Sequence, residues 1–399
     1  MQEKKKGYLT GKEIRAIAKE NAKQIKRLEA YKNRKAPESE FLTEMKNDQN
    51  ILEIEDLHTY FYTEQGVVKA VNGVSYDVPK NAVVGVVGES GCGKSVTSMS
   101  VMRLIQGPAG QIVDGAIRFK AYDYQRDEKG EPIEGENGFQ MEEKIYDIAK
   151  MPIHEIHRIR GKQIAMIFQE PMTSLNPVFT IGEQLDEVTL IHVPGATKEQ
   201  AKEKSVEMLR LVGIIPENVY DRFPHELSGG MRQRVMIAMA LAAEPRLIIA
   251  DEPTTALDVT IQAQILDLLQ DIKTKLDGSI LLITHDLGVI AEMADYVVVM
   301  YAGKVIEKGT VLEIFQDPRH PYTIGLQKSK PTMTLDDSAE LYNIPGNVPN
   351  PVNMPQHCYF KERCAKCTAK CSGEYPGMVQ VSPTHFVACH LYDGENANG

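Results

Sequence analysis

Short runs of apolar residues recur along this chain and alternate with stretches in which apolar residues follow helical spacing. The apolar runs have strand length and lie at 81–87, 163–171, 247–252 and 279–286. The helical patterns cover 96–105, 178–213 and 231–243. Buried strands that alternate with helices predict an α/β fold. In such a fold, polar residues at the carboxyl end of a strand are candidates for the functional site.

Mixed apolar and polar patterns predict further, antiparallel strands. These are a hairpin formed by 51–57 and 67–78, a strand pair around Asp114–Gly115, and two short strands within 297–309. The aromatic cluster 60–62 lies between the hairpin strands, where such side chains either pack in the core or stack on a purine ring. The polar segment 122–138 has no periodicity and predicts a solvated surface insertion.

The first apolar run leads into the sequence GESGCGKS, which begins at Gly88 and ends at Ser95. This is the G-x-x-x-x-G-K-S phosphate loop, whose glycines let successive backbone N–H groups surround a phosphate at a helix N-terminus. Lys94 can reach the β- and γ-phosphates, and the Ser95 hydroxyl can bind Mg²⁺. We therefore expect nucleotide contacts from Gly88, Glu89, Ser90, Gly91, Cys92, Gly93, Lys94, Ser95 and Val96.

Polar residues also end the other apolar runs. Asp251 suits Mg²⁺ binding, and Glu252 is placed to polarise an attacking water. Gln169 can bind Mg²⁺ or position a water, although a turn-forming glutamine fits the spacing equally well. A lone histidine such as His285 is usually structural, but the end of a strand is also where doubly wound sheets keep their active sites.

A fifth candidate is the sequence LSGG at 227–230, just before the predicted helix 231–243. Ser228, Gly229 and Gly230 would lie at the N-terminus of this helix. Backbone N–H groups point outward there, so these residues predict an anion site.

Composition is that of an ordinary globular protein, with 42% hydrophobic and 25% charged residues. A length of 399 residues predicts one large core with appendages. No apolar run reaches about 18 residues, and the N-terminus lacks an apolar segment, so we expect neither a transmembrane helix nor a signal peptide. These features predict a cytoplasmic protein.

Charge is unevenly distributed, since the net charge is −10 while residues 1–36 contain 12 Lys or Arg against 4 Glu. Thr10 and Glu13 are placed to form a capping box before a basic amphipathic helix. This helix could contact anionic lipid or a partner; we favour a solvated, partly disordered arm with a small docking stripe. The polar segment 36–50 predicts a linker, and the acidic body argues against nucleic-acid binding.

Together these motifs resemble the ATP-binding subunits of ABC transporters. The order GESGCGKS, Gln169, LSGGMRQR, LIIADE, TALD and His285 is that of the family, and LSGGxxQR is specific to it. The resemblance covers 51–391, and sequences such as PHELSGGMRQRVMIAMALA and HPYT are most similar to oligopeptide/dipeptide permease ATPases. It implies a P-loop NTPase cassette with a RecA-like core, an antiparallel β subdomain and a helical signature subdomain.

The resemblance also implies a domain division. Residues 1–50 would form the basic arm and linker, and 51–330 the ATPase domain with its helical subdomain at about 172–243. Residues 331–399 would form a Pro-rich connector and a cysteine-rich, metal-binding extension. The arm and the 122–138 insertion are outside the common family pattern, so the resemblance assigns them no role.

Within the ATP site, the resemblance makes Glu252 the catalytic base. It makes Asp251, the residue before it, the Walker B acid. It makes Gln169 a contact of Mg²⁺ and water, and His285 the residue that holds the γ-phosphate. It makes Phe61 the aromatic residue that stacks on adenine, with Tyr62 as the second choice.

The same resemblance implies that working ATP sites need two cassettes arranged head to tail. Ser228, Gly229 and Gly230 would complete the site of the opposing subunit, and Asp258 would lie in a loop that crosses the interface. The expected partners are a second ATPase subunit, identical or a paralogue, two transmembrane permease subunits and, indirectly, an extracytoplasmic solute-binding protein. The protein would then lie at the cytoplasmic face of the membrane and energise peptide uptake. Import of nickel or another solute, or a soluble ABC ATPase outside transport, is the alternative.

Five of the six cysteines lie in the last 42 residues, which in a cytosolic protein indicates a metal rather than disulfides. The spacing of Cys358, Cys364, Cys371 and Cys389 matches the tail of the peptide-permease ATPases and implies a 4Fe–4S cluster. A Zn²⁺ ion held by the same thiolates is the alternative. Cys367 is additional to the pattern and could compete as a ligand.

Overall fold

The computed structural model describes residues 9–125, 127, 133–135, 138–170, 174–255, 258–276, 278–329 and 342–394. Its strands are β1 (Asn50–Thr63), β2 (Gly66–Pro79), β3 (Val83–Val87), β4 (Gly110–Tyr124), β5 (Glu134–Gly135), β6 (Gly138–Phe139), β7 (Met141–Asp147), β8 (Ile164–Ile167), β9 (Leu247–Asp251), β10 (Ser279–Ile283), β11 (Tyr296–Tyr301), β12 (Lys304–Thr310), β13 (Val379–Gln380) and β14 (Phe386–Val387). Its α-helices are α1 (Gly11–Lys32), α2 (Lys94–Val101), α3 (Ile181–His192), α4 (Lys198–Leu211), α5 (Gly229–Leu241), α6 (Val259–Leu276), α7 (Leu287–Met293), α8 (Val311–Gln316) and α9 (Pro321–Lys328).

A parallel sheet forms the centre of the fold, with strand order β11-β3-β10-β9-β8. Every residue of β3, β9 and β10 is buried, as expected for a parallel sheet that is covered on both faces. The two faces have separate cores, because Val83 and Val87 belong to one apolar cluster while Val84 and Val86 belong to the other. The four apolar runs predicted as buried strands thus contain β3, β8, β9 and β10 of one sheet. The predicted α/β fold is confirmed.

The C-terminal segment extends this sheet. Strand β12 pairs with β11 in antiparallel register, β14 pairs with β12, and β13 pairs with β14. The pairing partners of Phe386 and Val387 on β12 are Lys308 and Glu307. The cysteine-containing segment is thus joined by main-chain hydrogen bonds to the same sheet that carries the phosphate loop.

A second, antiparallel sheet has the order β2-β1-β4-β7, and the predicted hairpin is its β1–β2 pair. The predicted strand pair around Asp114–Gly115 is wrong, because β4 runs through these residues as one strand. Gly115 has φ +98°, and a Cβ there would lie 2.5 Å from the Asp56 carbonyl oxygen. The Asp-Gly pair accommodates a register shift between β4 and β1 rather than a turn.

The predicted surface insertion is only partly a loop. Its first residues, up to Tyr124, continue β4, and β5 pairs with β6 in a short hairpin. Positions 126, 128–132 and 136–137 of this segment lie outside the described residues.

The N-terminal helix begins as predicted, since Thr10 and Glu13 form a capping box at the start of α1. The helix is not a partly disordered arm, because it is docked on the antiparallel sheet. Asn21 Nδ2 donates to the Thr63 carbonyl at 2.9 Å, and Gln111 Nε2 donates to Glu29 Oε1 at 2.5 Å.

The segment 36–50 does not behave as a simple linker either. Phe41 is only 1% exposed and belongs to a core cluster, and its ring lies 5.9 Å from that of Tyr146. The Thr43 N–H donates to the Ile145 carbonyl, which ties the segment to β7. This single aromatic anchor was not visible in the polar composition of the segment.

Helices α3, α4 and α5 pack together beside the parallel sheet, as the helical patterns predict. Capping boxes at Thr180 and Thr197 begin α3 and α4, and Ser228 caps α5 by accepting from the Met231 N–H. None of the described helices combines the length and apolar character needed to cross a bilayer.

Candidate nucleotide site

The phosphate loop connects the end of β3 to the start of α2, and two of its glycines have no room for a side chain. Gly88 has φ +155°, and a Cβ there would lie 2.2 Å from the Met300 carbonyl oxygen. Gly93 has φ +101°, and its Cβ would lie 2.4 Å from the Ala70 carbonyl oxygen. The tight backbone curve that a phosphate needs is therefore possible only with glycine at these positions.

Lys94 lies inside the loop that precedes it and is 6% exposed. Its Nζ donates to the carbonyl oxygens of Gly88 at 2.7 Å and Glu89 at 3.3 Å. Phosphate oxygens are stronger acceptors than neutral carbonyls, so an incoming triphosphate can take over this ammonium group.

Ser95 and Asp251 meet at the base of the loop, although β9 and α2 are far apart in the chain. Ser95 Oγ donates to Asp251 Oδ1 at 3.0 Å. Burial raises the pKa of Asp251 to about 6, because the 4% exposed carboxyl has lost most of its water. A hydroxyl beside a carboxylate offers the oxygen ligands that Mg²⁺ prefers, so these residues fit the predicted ion.

Gln169 and His285, the polar residues predicted at the ends of two other strands, both lie beside Glu252. Glu252 Oε2 accepts from Gln169 Nε2 at 3.1 Å and from Thr255 Oγ1 at 2.9 Å, and lies 3.4 Å from His285 Nδ1. Glu252 has φ +48°, which turns the chain sharply at the end of β9. Three groups thus hold one carboxylate oxygen where a water molecule could be deprotonated.

A cavity of about 610 Å³, a size suited to a small-molecule ligand, opens between the phosphate loop and Glu252; Gly88, Glu89 and Asp251 do not line it. The residues that line it are Ala70, Ser90, Gly91, Cys92, Gly93, Lys94, Ser95, Val96, Gln169, Glu252, Thr255 and His285. Sequence reasoning did not assign Ala70 and Thr255 to the nucleotide site. Thr255 could have been predicted from the sequence, because a hydroxyl three residues after Glu252 can reach its carboxylate across one turn of the chain.

Comparison with known proteins agrees with this geometry. The sequence pattern of the ABC transporter family matches residues 71–255, and that of the oligopeptide/dipeptide transporter C-terminal region matches 306–371. The oligopeptide transport ATP-binding protein AppD of Bacillus subtilis is 46% identical over 87% of this chain and 98% of its own length. The oligopeptide transport ATP-binding protein OppD of the same organism is 49% identical, over 86% of this chain and 88% of its own. The chain belongs to the ABC transporter ATP-binding proteins.

A solved structure supports the fold of this ABC ATPase. A dimeric ATP-binding cassette in a post-hydrolysis state, bound to ADP and phosphate, superposes with a TM-score of 0.53 at 23% identity. The likeness covers 65% of this chain and 98% of that one. The shared part is the cassette itself, and the ABC ATPase described here is longer.

Phe61 and the signature residues do not line the cavity of this ABC ATPase, within the part of the chain that the structure describes. Phe61 lies on β1 opposite Gly110 and is half-buried. Ser228 and Gly229 are exposed, and nothing lies within 4 Å of a Cβ placed at Gly229. Adenine stacking by Phe61, with Tyr62 as the alternative, therefore stays a prediction.

Within its described residues, the cysteine-rich tail of this ABC ATPase contains no preassembled metal site. All six cysteines are free thiols, and no cluster of three or more potential ligands suits a metal ion among the described residues. Two of the predicted ligands nevertheless lie close together, since the Cys358 N–H donates to the Cys371 carbonyl at 3.3 Å. Burial raises the pKa of Cys358, and that of Cys389 to about 11. The structure thus does not support the predicted cluster.

Proposed function

We propose that this chain is the ATP-hydrolysing subunit of an ABC importer that energises uptake of oligopeptides or dipeptides through separate permease subunits. The observation that carries ATP hydrolysis is the convergence of Gln169, Thr255 and His285 on Glu252 at the mouth of the phosphate loop. The observation that favours peptides is the C-terminal region, which is of the oligopeptide/dipeptide transporter type at 306–371.

The residues divide the chemistry among them. The phosphate loop and Lys94 bind the β- and γ-phosphates, and Glu252 accepts a proton from the attacking water. Gln169 orients Glu252 and that water, and His285 contacts the γ-phosphate from the end of β10. When bound, Mg²⁺ would be held by Ser95, Asp251 and Gln169 and would neutralise phosphate charge.

Hydrolysis needs a second cassette, identical or a paralogue. Ser228, Gly229 and Gly230 lie at the N-terminus of α5, outside the cavity of their own chain, and the first two are exposed to solvent. Helix N-termini bind anions, so this surface suits the nucleotide held by an opposing subunit, and Asp258 would lie near the same interface. ATP would then shift the population from open to closed dimers, and hydrolysis would reverse the shift.

The partners that follow are two transmembrane permease subunits and, on the other side of the membrane, a solute-binding protein. The permease subunits would span the membrane and carry the solute. This chain would bind them at the cytoplasmic face as a peripheral subunit. A nickel importer with the same kind of ATPase, or an ABC ATPase outside transport, is the competing function.

The deciding experiment is purification of the tagged full-length chain from detergent-solubilised membranes. We expect two polytopic membrane proteins and a second cassette to co-purify, and ATPase activity to rise with a tripeptide and its binding protein but not with nickel. The Glu252→Gln complex is the matched control, since it should assemble without hydrolysing ATP. Stimulation by nickel alone would identify a metal importer, and recovery without membrane proteins would contradict a transport function.

We also propose that the tail binds a metal through Cys358, Cys364, Cys371 and Cys389, as a 4Fe–4S cluster or, alternatively, Zn²⁺. The support is the donor set, four thiols with the predicted spacing, two of which lie in residues joined by the hydrogen bond from the Cys358 N–H to the Cys371 carbonyl. Metal binding would add folding energy to this tail segment. Cys367 is exposed, which favours the other four thiols as ligands.

A further inference from the structure

The C-terminal segment contacts the phosphate loop directly, at Glu89. Arg363 Nη1 donates to Glu89 Oε2 at 2.7 Å, and Arg363 Nη2 donates to Glu89 Oε1 at 3.0 Å. Two parallel hydrogen bonds between planar charged groups fix orientation as well as distance. Arg363 is 8% exposed and the Glu89 side chain is 27% exposed, so the pair is partly shielded from water.

Arg363 is itself held by groups other than Glu89. Its Nε donates to the Pro345 carbonyl at 2.9 Å, and its Nη1 donates to Tyr301 Oη at 3.3 Å. The guanidinium carbon also lies 5.8 Å from the centre of the Phe360 ring. An arginine guanidinium stays protonated in proteins, so it offers Glu89 a permanent cation. Arg363 is therefore a fixed anchor to which the loop is attached.

The main chain of Glu89 is held at the same time. Its N–H donates to Tyr322 Oη at 2.8 Å, and Tyr322 is fully buried in the C-terminal part of the fold. Its carbonyl oxygen accepts from Lys94 Nζ at 3.3 Å. A displacement of Glu89 would therefore move one of the groups that set the position of the phosphate-binding lysine.

Charge gives this contact a second consequence. Glu89 places a carboxylate in a loop whose ligand is a polyanion. Like charges in a partly shielded site repel strongly, and a cation beside the carboxylate cancels most of that repulsion. Arg363, 274 positions further along the chain, supplies this cation.

We propose that Arg363 is a positioning residue for nucleotide binding. It holds Glu89 in place and neutralises its charge, so the docked C-terminal segment raises the affinity of the phosphate loop for ATP. Arg363 acts through Glu89 and not on the nucleotide. This inference rests on the nucleotide site proposed above and adds a residue that lies outside every ATP motif.

The test is equilibrium binding of MgATP to the full-length chain and to the variants Arg363→Gln and Arg363→Gln/Glu89→Gln. Arg363→Gln should raise the Kd about 3- to 30-fold, the range of coupling through contiguous contacts. The double variant should recover most of this loss, because the unpaired carboxylate is gone. In the assembled transporter, the KM for ATP should rise with the Kd while kcat changes less than about twofold.

Lys370→Gln is the matched control within the same segment. It removes an exposed ion pair with Asp393 at 3.1 Å that does not reach the phosphate loop, so the Kd should stay unchanged. Thermal unfolding without nucleotide reports whether Arg363→Gln remains folded; if it does not, Arg363→Lys, which keeps the charge but loses the paired geometry, should show an intermediate Kd. An unchanged Kd for the folded Arg363 variant, or a double variant as weak as Arg363→Gln, would overturn the proposal. Failure of the wild-type chain to bind ATP would instead overturn the nucleotide site itself.

Discussion

Gln169 Nε2 donates to Glu252 Oε2 at 3.1 Å, across the ends of neighbouring strands β8 and β9. The two residues are 83 positions apart, so this hydrogen bond exists only because the strands pair in parallel. It links the residue that we place beside the attacking water to the residue that we expect to deprotonate it. The same carboxylate oxygen also contacts Thr255 and His285. A movement of Gln169, Thr255 or His285 would therefore change the position of the Glu252 carboxylate.

Glu252→Gln should abolish hydrolysis while leaving ATP binding intact. The amide keeps the size of the side chain but cannot accept a proton, so turnover should fall about 10²- to 10⁴-fold. Steady-state ATPase activity and nucleotide binding check this in the same preparation. Lys94→Ala is the contrasting variant, since it should weaken binding as well. Near-normal turnover by Glu252→Gln would remove Glu252 from the role of base.

Ser228→Arg should impair ATP hydrolysis by the assembled transporter but not ATP binding by the isolated chain. Ser228 is exposed at the start of α5 and away from the cavity of its own chain, so the added bulk would obstruct only an opposing subunit. Ser228→Ala is the control, because it loses the helix cap, at a cost of about 1 kcal/mol in stability, without adding bulk. Equal loss of activity in both variants would show that loss of the Ser228 hydroxyl, and not added bulk at the interface, accounts for the effect.

Cys371→Ser should remove metal from the tail, whereas Cys367→Ser should leave it bound. Cys371 is buried and its carbonyl oxygen accepts from the Cys358 N–H, whereas Cys367 is exposed. The measurement is iron, acid-labile sulfide and zinc content after anaerobic purification. Zinc without iron or sulfide would replace the cluster by a zinc site. Metal-free wild-type protein would contradict metal binding altogether.

Acid should destabilise the fold through His320, which lies at the start of α9. Burial lowers the pKa of His320 to about 4, although Glu307 nearby opposes the shift. The unfolded chain, with a histidine pKa of about 6.5, binds more protons between these values, so stability is lost as pH falls through this window. The free energy of unfolding should drop by roughly 2 kcal/mol between pH 7 and pH 5 from this group.

Urea unfolding of wild type and His320→Asn at both pH values measures this contribution. Asparagine can still cap α9, as His320 does by accepting from the Tyr322 N–H at 3.0 Å, but it does not titrate. His385, which contacts Glu307 at 2.8 Å, is present in both proteins and cancels from the comparison. The pH dependence should be smaller in the variant, and an equal dependence would assign it to other groups.

The sequence by itself determined the parts of this protein that depend on neighbours in the chain. The phosphate loop was predictable because the glycines with positive φ, Lys94 and Ser95 lie within one turn between a buried strand and a helix. The cap at Ser228 and the acidic end of β9 follow from local pattern in the same way. The convergence of Gln169, Glu252 and His285 was predictable only because parallel strands end at one edge of a sheet.

Contacts between distant segments were decided by the tertiary structure alone. No local pattern showed that Phe41 would enter the core from a polar segment, or that Gly115 would make a bulge where Asp-Gly usually makes a turn. Nothing in the sequence paired Arg363 with Glu89, because arginine and glutamate are common at protein surfaces. The two residues meet only when the C-terminal strands join the central sheet. The physical reason is that side-chain pairing depends on where each chain segment is placed, and placement is set by packing of the whole fold.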